Sequence, residues 1–253
     1  MTLTFLCDAL GFPEEASLRI QSTDTGLLEE RTETAVRRLT DAAEFEDEAA
    51  ELKRLLVPDD CGFRMLKVML QAALRSAALY EERGIPRDIF FATMGCFSRF
   101  VREHRESFGA YGFDRWFWTG RQLSLRLFRI GTLEYELVEE EGVKKISLHI
   151  PSDAELCEPQ ILRSASAARE FLRKFEPEYA QAEFVCFSWL LSPALKEVLP
   201  ETSNILRFQK MFRITCTDAE GDGYKTWVFK NSDLAPEDFP EETSLQRNLK
   251  RYI

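Results

Sequence analysis

The stretch LSLRLFRIGTLEYELVEEEGVKKISLHI, residues 123–150, decides the fold. It divides into three segments, LSLRLFRI, TLEYELV and VKKISLHI, in which apolar and polar residues alternate. A period of two belongs to strands with one buried face, because successive side chains of a strand point to opposite sides. In the third segment Ile146, Leu148 and Ile150 share one face, and Lys145, Ser147 and His149 share the other. A tight hairpin closed by EEEG sets Leu137 opposite Lys144, Glu136 opposite Lys145, Glu134 opposite Ser147 and Thr132 opposite His149. Glu134 then stands one diagonal step from His149, where a carboxylate can orient an imidazole and raise its pKa. A slip of one residue would carry the whole set to the other face.

Working outward, residues 164–175 (SASAAREFLRKF) read as a helix, and EFVCFSWLL (183–191) as an apolar strand. PALKEVL and SNILRFQK read as helical, and FRITCT and YKTWVFK as a last hairpin turned by DAEGDG (218–223). The polar tail after Pro236 reads as loop with a short helix. The expected order is β-β-β-α-β-α-β-β, a mixed sheet flanked by helices.

Upstream the period changes. TGLLEERTETAVRRLTDAAEF and DEAAELKRLLV place apolar residues at helical intervals, and FRMLKVMLQAALRSAALYEERG is apolar enough for a buried helix stopped by Gly84. PRDIFFATMGCFSRFVREHRESFG reads as one more helix ending near Gly109. The acidic run EFEDEAAE reads as a solvated helix face, since sequence-adjacent carboxylates do not converge on a metal. The class is therefore α+β, with a helical domain over 1–112 and a sheet domain over 113–253.

A chain of 253 residues that is 45% hydrophobic has enough apolar surface for one large or two modest cores. A net charge of −10 argues against nucleic-acid binding. The six cysteines lie far apart without a C-x-x-C pair, and only His104 and His149 could join them, so no metal site is expected. Free thiols suit a reducing cytoplasm. The N-terminus lacks a basic signal-peptide region and no apolar run approaches a membrane span, so a cytoplasmic protein without membrane attachment is expected.

The strand order from 123 onward resembles the GNAT N-acyltransferase fold from its second strand. GIPRDIFFAT (84–93), LFRIGTLEYEL (127–137), SLHIPSDAEL (147–156), FSWLLSPAL (187–195) and SNILRFQKMF (203–212) together resemble a narrower family. Its members join a helical N-acyltransferase N-terminal domain to a GNAT-like C-terminal domain. The resemblance covers most of the chain. It implies an acyltransferase using acetyl-CoA or another acyl-CoA, with a small-molecule amine as acceptor. In such sheets the fourth and fifth strands splay and the thioester enters the gap, so the backbone N–H of Ile150 is the implied oxyanion donor.

Two features depart from that pattern. No glycine occurs between Gly142 and Gly221, where a pyrophosphate loop Q/R-x-x-G-x-G/A is expected. Its nearest echo is Arg163-Ser164-Ala165-Ser166-Ala167-Ala168, in which Arg163, Ser164 and Ser166 would meet phosphates; an ordinary serine-capped helix is the other reading. The helix position that often carries a proton-donating tyrosine offers Phe208 and Phe212. Asn204 resembles the asparagine that opens this helix near the cofactor, and Ser203 or Asn204 equally suits an N-cap.

Acyl transfer to an amine needs a base that titrates near neutrality, and histidine is the residue type that does so. His149, at a strand end before Pro151, is the candidate general base, with Glu134 as its carboxylate. The other reading is a strand-end residue held by a backbone carbonyl. Trp189 reads as core, and Ser188 has no partners that would make it a nucleophile. The basic, aromatic stretch FDRWFWTGRQLSLRLFR (113–129) admits a hinge between halves, an anionic pocket or a nucleic-acid surface. Against the acyl-CoA-dependent enzyme stand a non-catalytic GNAT-like binding protein that has lost ordinary CoA binding, and an acyltransferase with a carrier-protein donor.

Overall fold

A computed structural model of the chain describes residues 1–218, 221, 223–229 and 234–252. Seven helices form the first half: α1 (Leu3–Ala9), α2 (Glu14–Ser22), α3 (Glu29–Leu39), α4 (Phe45–Leu55), α5 (Phe63–Glu82), α6 (Arg87–Met94) and α7 (Cys96–Phe108). The 20-residue α5 is the axis of this half, with ten buried side chains from Phe63 to Tyr80. Gly62 precedes it at φ +71°, and a Cβ there would lie 1.9 Å from the Phe113 carbonyl oxygen, so only glycine fits. It ends in a Schellman closure: Ile85 N–H donates to Tyr80 O at 2.9 Å and Gly84 N–H to Glu81 O at 3.0 Å.

Two details of the helical half differ from expectation. The helix foreseen over 86–109 is divided at Gly95 into α6 and α7. Glu48, in the acidic run taken for a solvated face, is fully buried between Arg31 at 2.6 Å and Arg38 at 2.9 Å. Glu48 sits three residues after Phe45 and four before Leu52, so it shares their buried face and is carried into the packing of α4 on α3.

A short helix α8 (Gly120–Leu123) leads into the sheet, whose strands are β1 (Leu127–Ile130), β2 (Leu133–Glu140), β3 (Val143–His149) and β4 (Glu183–Val185). Their order is β1-β2-β3-β4, with two antiparallel pairings and then a parallel one. The β2–β3 turn is Glu141-Gly142, both at positive φ (52° and 78°), as a two-residue hairpin on a right-twisted ladder demands. It falls one residue later than expected, so the register moves by two: Glu134 faces His149 and Glu136 faces Ser147. A shift of two leaves every side chain on its expected face.

The apolar face, with Phe128, Tyr135, Ile146 and Leu148, lies under helix α9 (Glu158–Phe175), where Phe128 meets Phe171 at 4.7 Å. α9 begins six residues earlier than expected because Pro159 suits the first turn of a helix. The polar face meets α7 through Arg99–Glu134 and α8 through Arg121–Glu136. One continuous core runs from Leu6 in α1 to Phe208, through both halves.

The end of the chain departs most from the expected order. β4 stops at Val185, where Ser188 Oγ accepts from Leu190 N–H at 3.2 Å and caps a 3-10 turn over Trp189–Leu191. The expected final hairpin does not form: residues 213–218 have no regular structure, and YKTWVFK lies mostly in helix α12 (Gly223–Val228). The expected turn DAEGDG lies partly outside the described residues. Short apolar runs fit either period, and here Val228 and Phe229 enter a second cluster with Leu195, Leu206, Phe239 and Leu249. That cluster gathers α10 (Leu195–Val198), α11 (Asn204–Gln209), α12 and α13 (Ser244–Tyr252). α13 opens with a reciprocal capping box between Thr243 and Gln246, at 2.9 and 3.1 Å. Among the described residues no helix is long and apolar enough to cross a membrane.

Candidate active site

The parallel ladder between β3 and β4 ends at the Ser147–Val185 pair. Beyond it one strand continues through Leu148, His149 and Ile150 to Pro151, which has no N–H to offer a ladder. The other continues through Cys186 and Phe187 to the cap at Ser188. His149 is thus the last residue of β3, on the polar face, at the point where the pair has come apart.

The side chains around His149 form a closed arrangement. His149 Nε2 lies 2.7 Å from Glu136 Oε2, and the other oxygen of Glu136 accepts from Arg121 Nε at 3.1 Å. The Arg121 guanidinium rests over the Trp118 ring at 4.3 Å, and Trp118 meets the imidazole edge-on at 5.0 Å. Burial alone would raise the Glu136 pKa, but the hydrogen bond from His149 and the Arg121 charge together hold it below the ordinary value. A carboxylate so held only accepts, so the hydrogen shared with it belongs to His149 Nε2, and Nδ1 carries the lone pair of the neutral ring.

Glu134, expected to orient His149, stands directly opposite it on the ladder but binds elsewhere. Its carboxylate accepts from Arg99 Nη2 of α7 at 2.9 Å, and it is Glu136, one diagonal step away, that reaches the imidazole. Arg99 also lies 3.7 Å from Glu103 and 3.5 Å from Asp153, and Arg129 of β1 pairs with Asp153 at 2.9 Å. Ser152 donates to Glu103. The segment after β3 is therefore tied through its own side chains to the helical half.

The residues expected at a cofactor are dispersed. Ile150 follows His149 past the last β3–β4 pair. Arg163 and Ser166 lie within α9, one turn apart and exposed. Ser164 is buried in the same helix, where its hydroxyl donates to Ile130 O, shares a hydrogen with Tyr135 Oη at 2.8 Å and accepts from Leu133 N–H at 3.3 Å. All three sit in or beyond the second turn, so their N–H groups belong to the helix ladder and form no phosphate loop. The first turn holds Glu158 and Pro159, a negative charge and a missing donor, which suits a pyrophosphate poorly. Asn204 is exposed at the first position of α11, and Ser203 is the N-cap, accepting from Ile205 N–H at 3.2 Å.

Other candidates fall into place by packing. Phe208 and Phe212 lie 4.8 Å apart and supply no hydroxyl. Trp189 is half-buried between the two apolar clusters. His104 Nδ1 pairs with Ala110 O at 2.7 Å at the end of α7, away from the sheet. The basic, aromatic stretch packs against the helical half: Lys53 of α4 lies over the Trp116 ring at 5.3 Å, and Ser76 of α5 donates to Leu123 O at 2.7 Å. No group of three metal-ligating side chains occurs among the described residues. Sequence reasoning missed Glu136, Arg99, Arg121 and Trp118 at the site. The register signal for Glu136 was the glycine at 142, which draws the turn to positions 141 and 142.

Comparison with known proteins agrees with this architecture. Residues 1–125 match the model of the N-acyltransferase N-terminal domain, and residues 127–253 that of the GNAT-like C-terminal domain. Among solved structures, an acyltransferase in complex with decanoyl-CoA and teicoplanin superposes with a TM-score of 0.80 at 25% identity, over 98% of this chain and 81% of that one. An acyltransferase in complex with CoA and 10C-teicoplanin gives the same score, identity and coverage. No curated protein gives a significant match.

Proposed function

The chain belongs to the family in which an N-acyltransferase N-terminal domain precedes a GNAT-like C-terminal domain, and from that premise we propose that it transfers an acyl group from acyl-CoA to a small-molecule amine with His149 as general base. One observation carries the reading: a histidine paired with a partly buried carboxylate at 2.7 Å, at the strand end where β3 and β4 part. The solved relatives were crystallised with decanoyl-CoA, octanoyl-CoA or CoA, which supports a thioester co-substrate. The thioester and pantetheine are proposed to lie past the last β3–β4 pair, Ser147–Val185. Bound there, the thioester supplies the activated acyl carbon.

The chain's own residues do the rest. Neutral His149 takes the acceptor's proton at Nδ1 as the amine nitrogen bonds to the thioester carbon, and Glu136 stabilises the imidazolium through Nε2–H; the C–S bond then breaks and the imidazolium returns the proton to the departing CoA thiolate. The backbone N–H of Ile150 is the donor proposed for the thioester oxygen. Arg163 and Ser166 on α9 and Asn204 on α11 are the side chains proposed to meet the rest of the CoA. Glu134 acts at one remove, by fixing Arg99 and with it the segment after β3. A second reading, a GNAT-like binding protein without catalysis, is favoured by the acidic, proline-bearing start of α9.

Thermal-shift and calorimetric titration with CoA, acetyl-CoA, octanoyl-CoA and decanoyl-CoA separates the two. A thioester at a hundred times its Kd stabilises the protein by about 2.7 kcal/mol. No shift with any thioester favours the non-catalytic reading. Given binding, His149→Ala is expected to lower turnover of amine acceptors by about 10²–10⁴-fold while acyl-CoA affinity holds. Unchanged turnover removes His149 from the mechanism.

A further inference from the structure

The ring His149–Glu136–Arg121–Trp118 draws on three separate parts of the chain. His149 and Glu136 come from neighbouring strands, whereas Trp118 and Arg121 lie three residues apart in the stretch that connects the two halves. That spacing puts both on one side of a helical turn. Each member touches two others: an ion pair, a cation–π contact, an edge-on ring contact and a hydrogen bond close the circuit.

We infer that Arg121 is a positioning residue for His149, holding Glu136 with one oxygen so that the other is aimed at the imidazole, and limiting how strongly that carboxylate favours the imidazolium. This inference rests on the acyl-transfer reading of the site. Glu136 has three rotatable bonds, and a single hydrogen bond to a ring does not fix them; a second, from Nε of an Arg121 guanidinium laid over Trp118, does. The fixed charge also acts on the proton. A carboxylate shared with a guanidinium attracts an imidazolium less than a carboxylate left alone.

The other charges around the pair are already matched. Glu134, opposite His149, is held by Arg99 of α7, which also faces Glu103. Arg129 of β1 is taken by Asp153 of the segment after β3. Lys145, on the same face of β3, pairs with Glu140 at the far end of the hairpin. Arg121 is the cation that Glu136 itself contacts.

The test is the pH profile of kcat/KM for Arg121→Gln and Arg121→Lys, with thermal unfolding to confirm folding. In Arg121→Gln the acid limb is expected to move to higher pH by about 0.5–1 unit, and kcat to fall about 10-fold with the KM for acyl-CoA little changed. Arg121→Lys restores the charge without the planar fork, so its limb returns to the wild-type position while kcat stays reduced by at least about 3-fold. A wild-type limb and kcat in Arg121→Gln overturns the inference. If Arg121→Gln does not fold, a wild-type kcat in Arg121→Lys overturns it instead. His149→Ala keeps the two levels apart: if it retains turnover, the acyl-transfer reading falls. If it is inactive while the Arg121 variants behave as wild type, this inference alone falls.

Discussion

Arg99 of α7 donates to Glu134 of β2 at 2.9 Å, with side chains only 8% and 2% exposed. The pair joins the helical half to the sheet directly beneath the strand end that carries His149. Removing one partner of a buried ion pair leaves the other charge without compensation, at a cost of about 3–5 kcal/mol. Arg99→Ala is expected to lose that much in urea-induced unfolding. Asp153, about half exposed, contacts the same guanidinium from the rim, so Asp153→Asn should cost under about 1 kcal/mol. Equal losses from both variants contradict this account.

Glu136→Gln tests the carboxylate that holds His149. The amide has nearly the same shape and can still bond to the ring, but it cannot stabilise an imidazolium. Turnover is expected to fall by about 10²–10³-fold with acyl-CoA affinity unchanged. Glu134→Gln should instead act mainly on stability. Steady-state kinetics beside a denaturation curve for each variant distinguishes the two roles.

Acid should weaken the protein through particular carboxylates. Glu136 is held below its ordinary pKa by His149 and Arg121 against the cost of burial, and Asp153 likewise by Arg129 and Arg99. A depressed folded-state pKa stabilises the protein above the unfolded value, about 4 for these groups, and the contribution is lost as pH falls through the folded value. Glu176 works the other way: burial raises its pKa despite Arg83, so its contribution is largest in acid and fades as pH rises. Unfolding free energy is expected to decline below about pH 4, and less steeply in Glu136→Gln. An identical acid slope in that variant excludes Glu136 as a source.

Ser164 is expected to matter for stability rather than thioester affinity. Its hydroxyl joins α9 to Ile130, Leu133 and Tyr135 in a site closed to water. The same contact helps to hold the Tyr135 phenol, whose pKa burial pushes up to about 12. Ser164→Ala leaves a buried donor and acceptor unmatched and should cost about 1–3 kcal/mol. A loss of acyl-CoA affinity larger than any stability effect would return Ser164 to the cofactor site.

Much of this was legible in the sequence because one face of the sheet is apolar and the other is not. Alternation in 123–150 specifies three strands and their faces, although the first begins only at Leu127, after the end of α8 and a turn, and parity survives an error of two residues in register. The partner of His149 was not legible, since Glu134 and Glu136 occupy the same face and only the position of the turn decides between them. Arg99 was hidden inside an amphipathic helix pattern that says nothing of what the helix covers. The expected strands FRITCT and YKTWVFK were misread for a different reason, whereas the short helix in the tail after Pro236 is present. Runs such as YKTWVF satisfy strand and helix spacing alike, and packing against Leu206 and Phe239 selects the helix.

The core that passes through both halves has a consequence for how the chain is made. The helical half leaves the ribosome first, with Arg99 already placed on α7 while its partner Glu134 is still 35 residues from synthesis. Until β2 arrives, that cation has only Glu103 of its own helix beside it, on a surface meant for the interior. The His149–Glu136 pair likewise closes only when both strands lie against Trp118 and Arg121 of the connector. Closure of this site and burial of Arg99 against Glu134 then wait on the same strand, β2, so a half-built molecule lacks both.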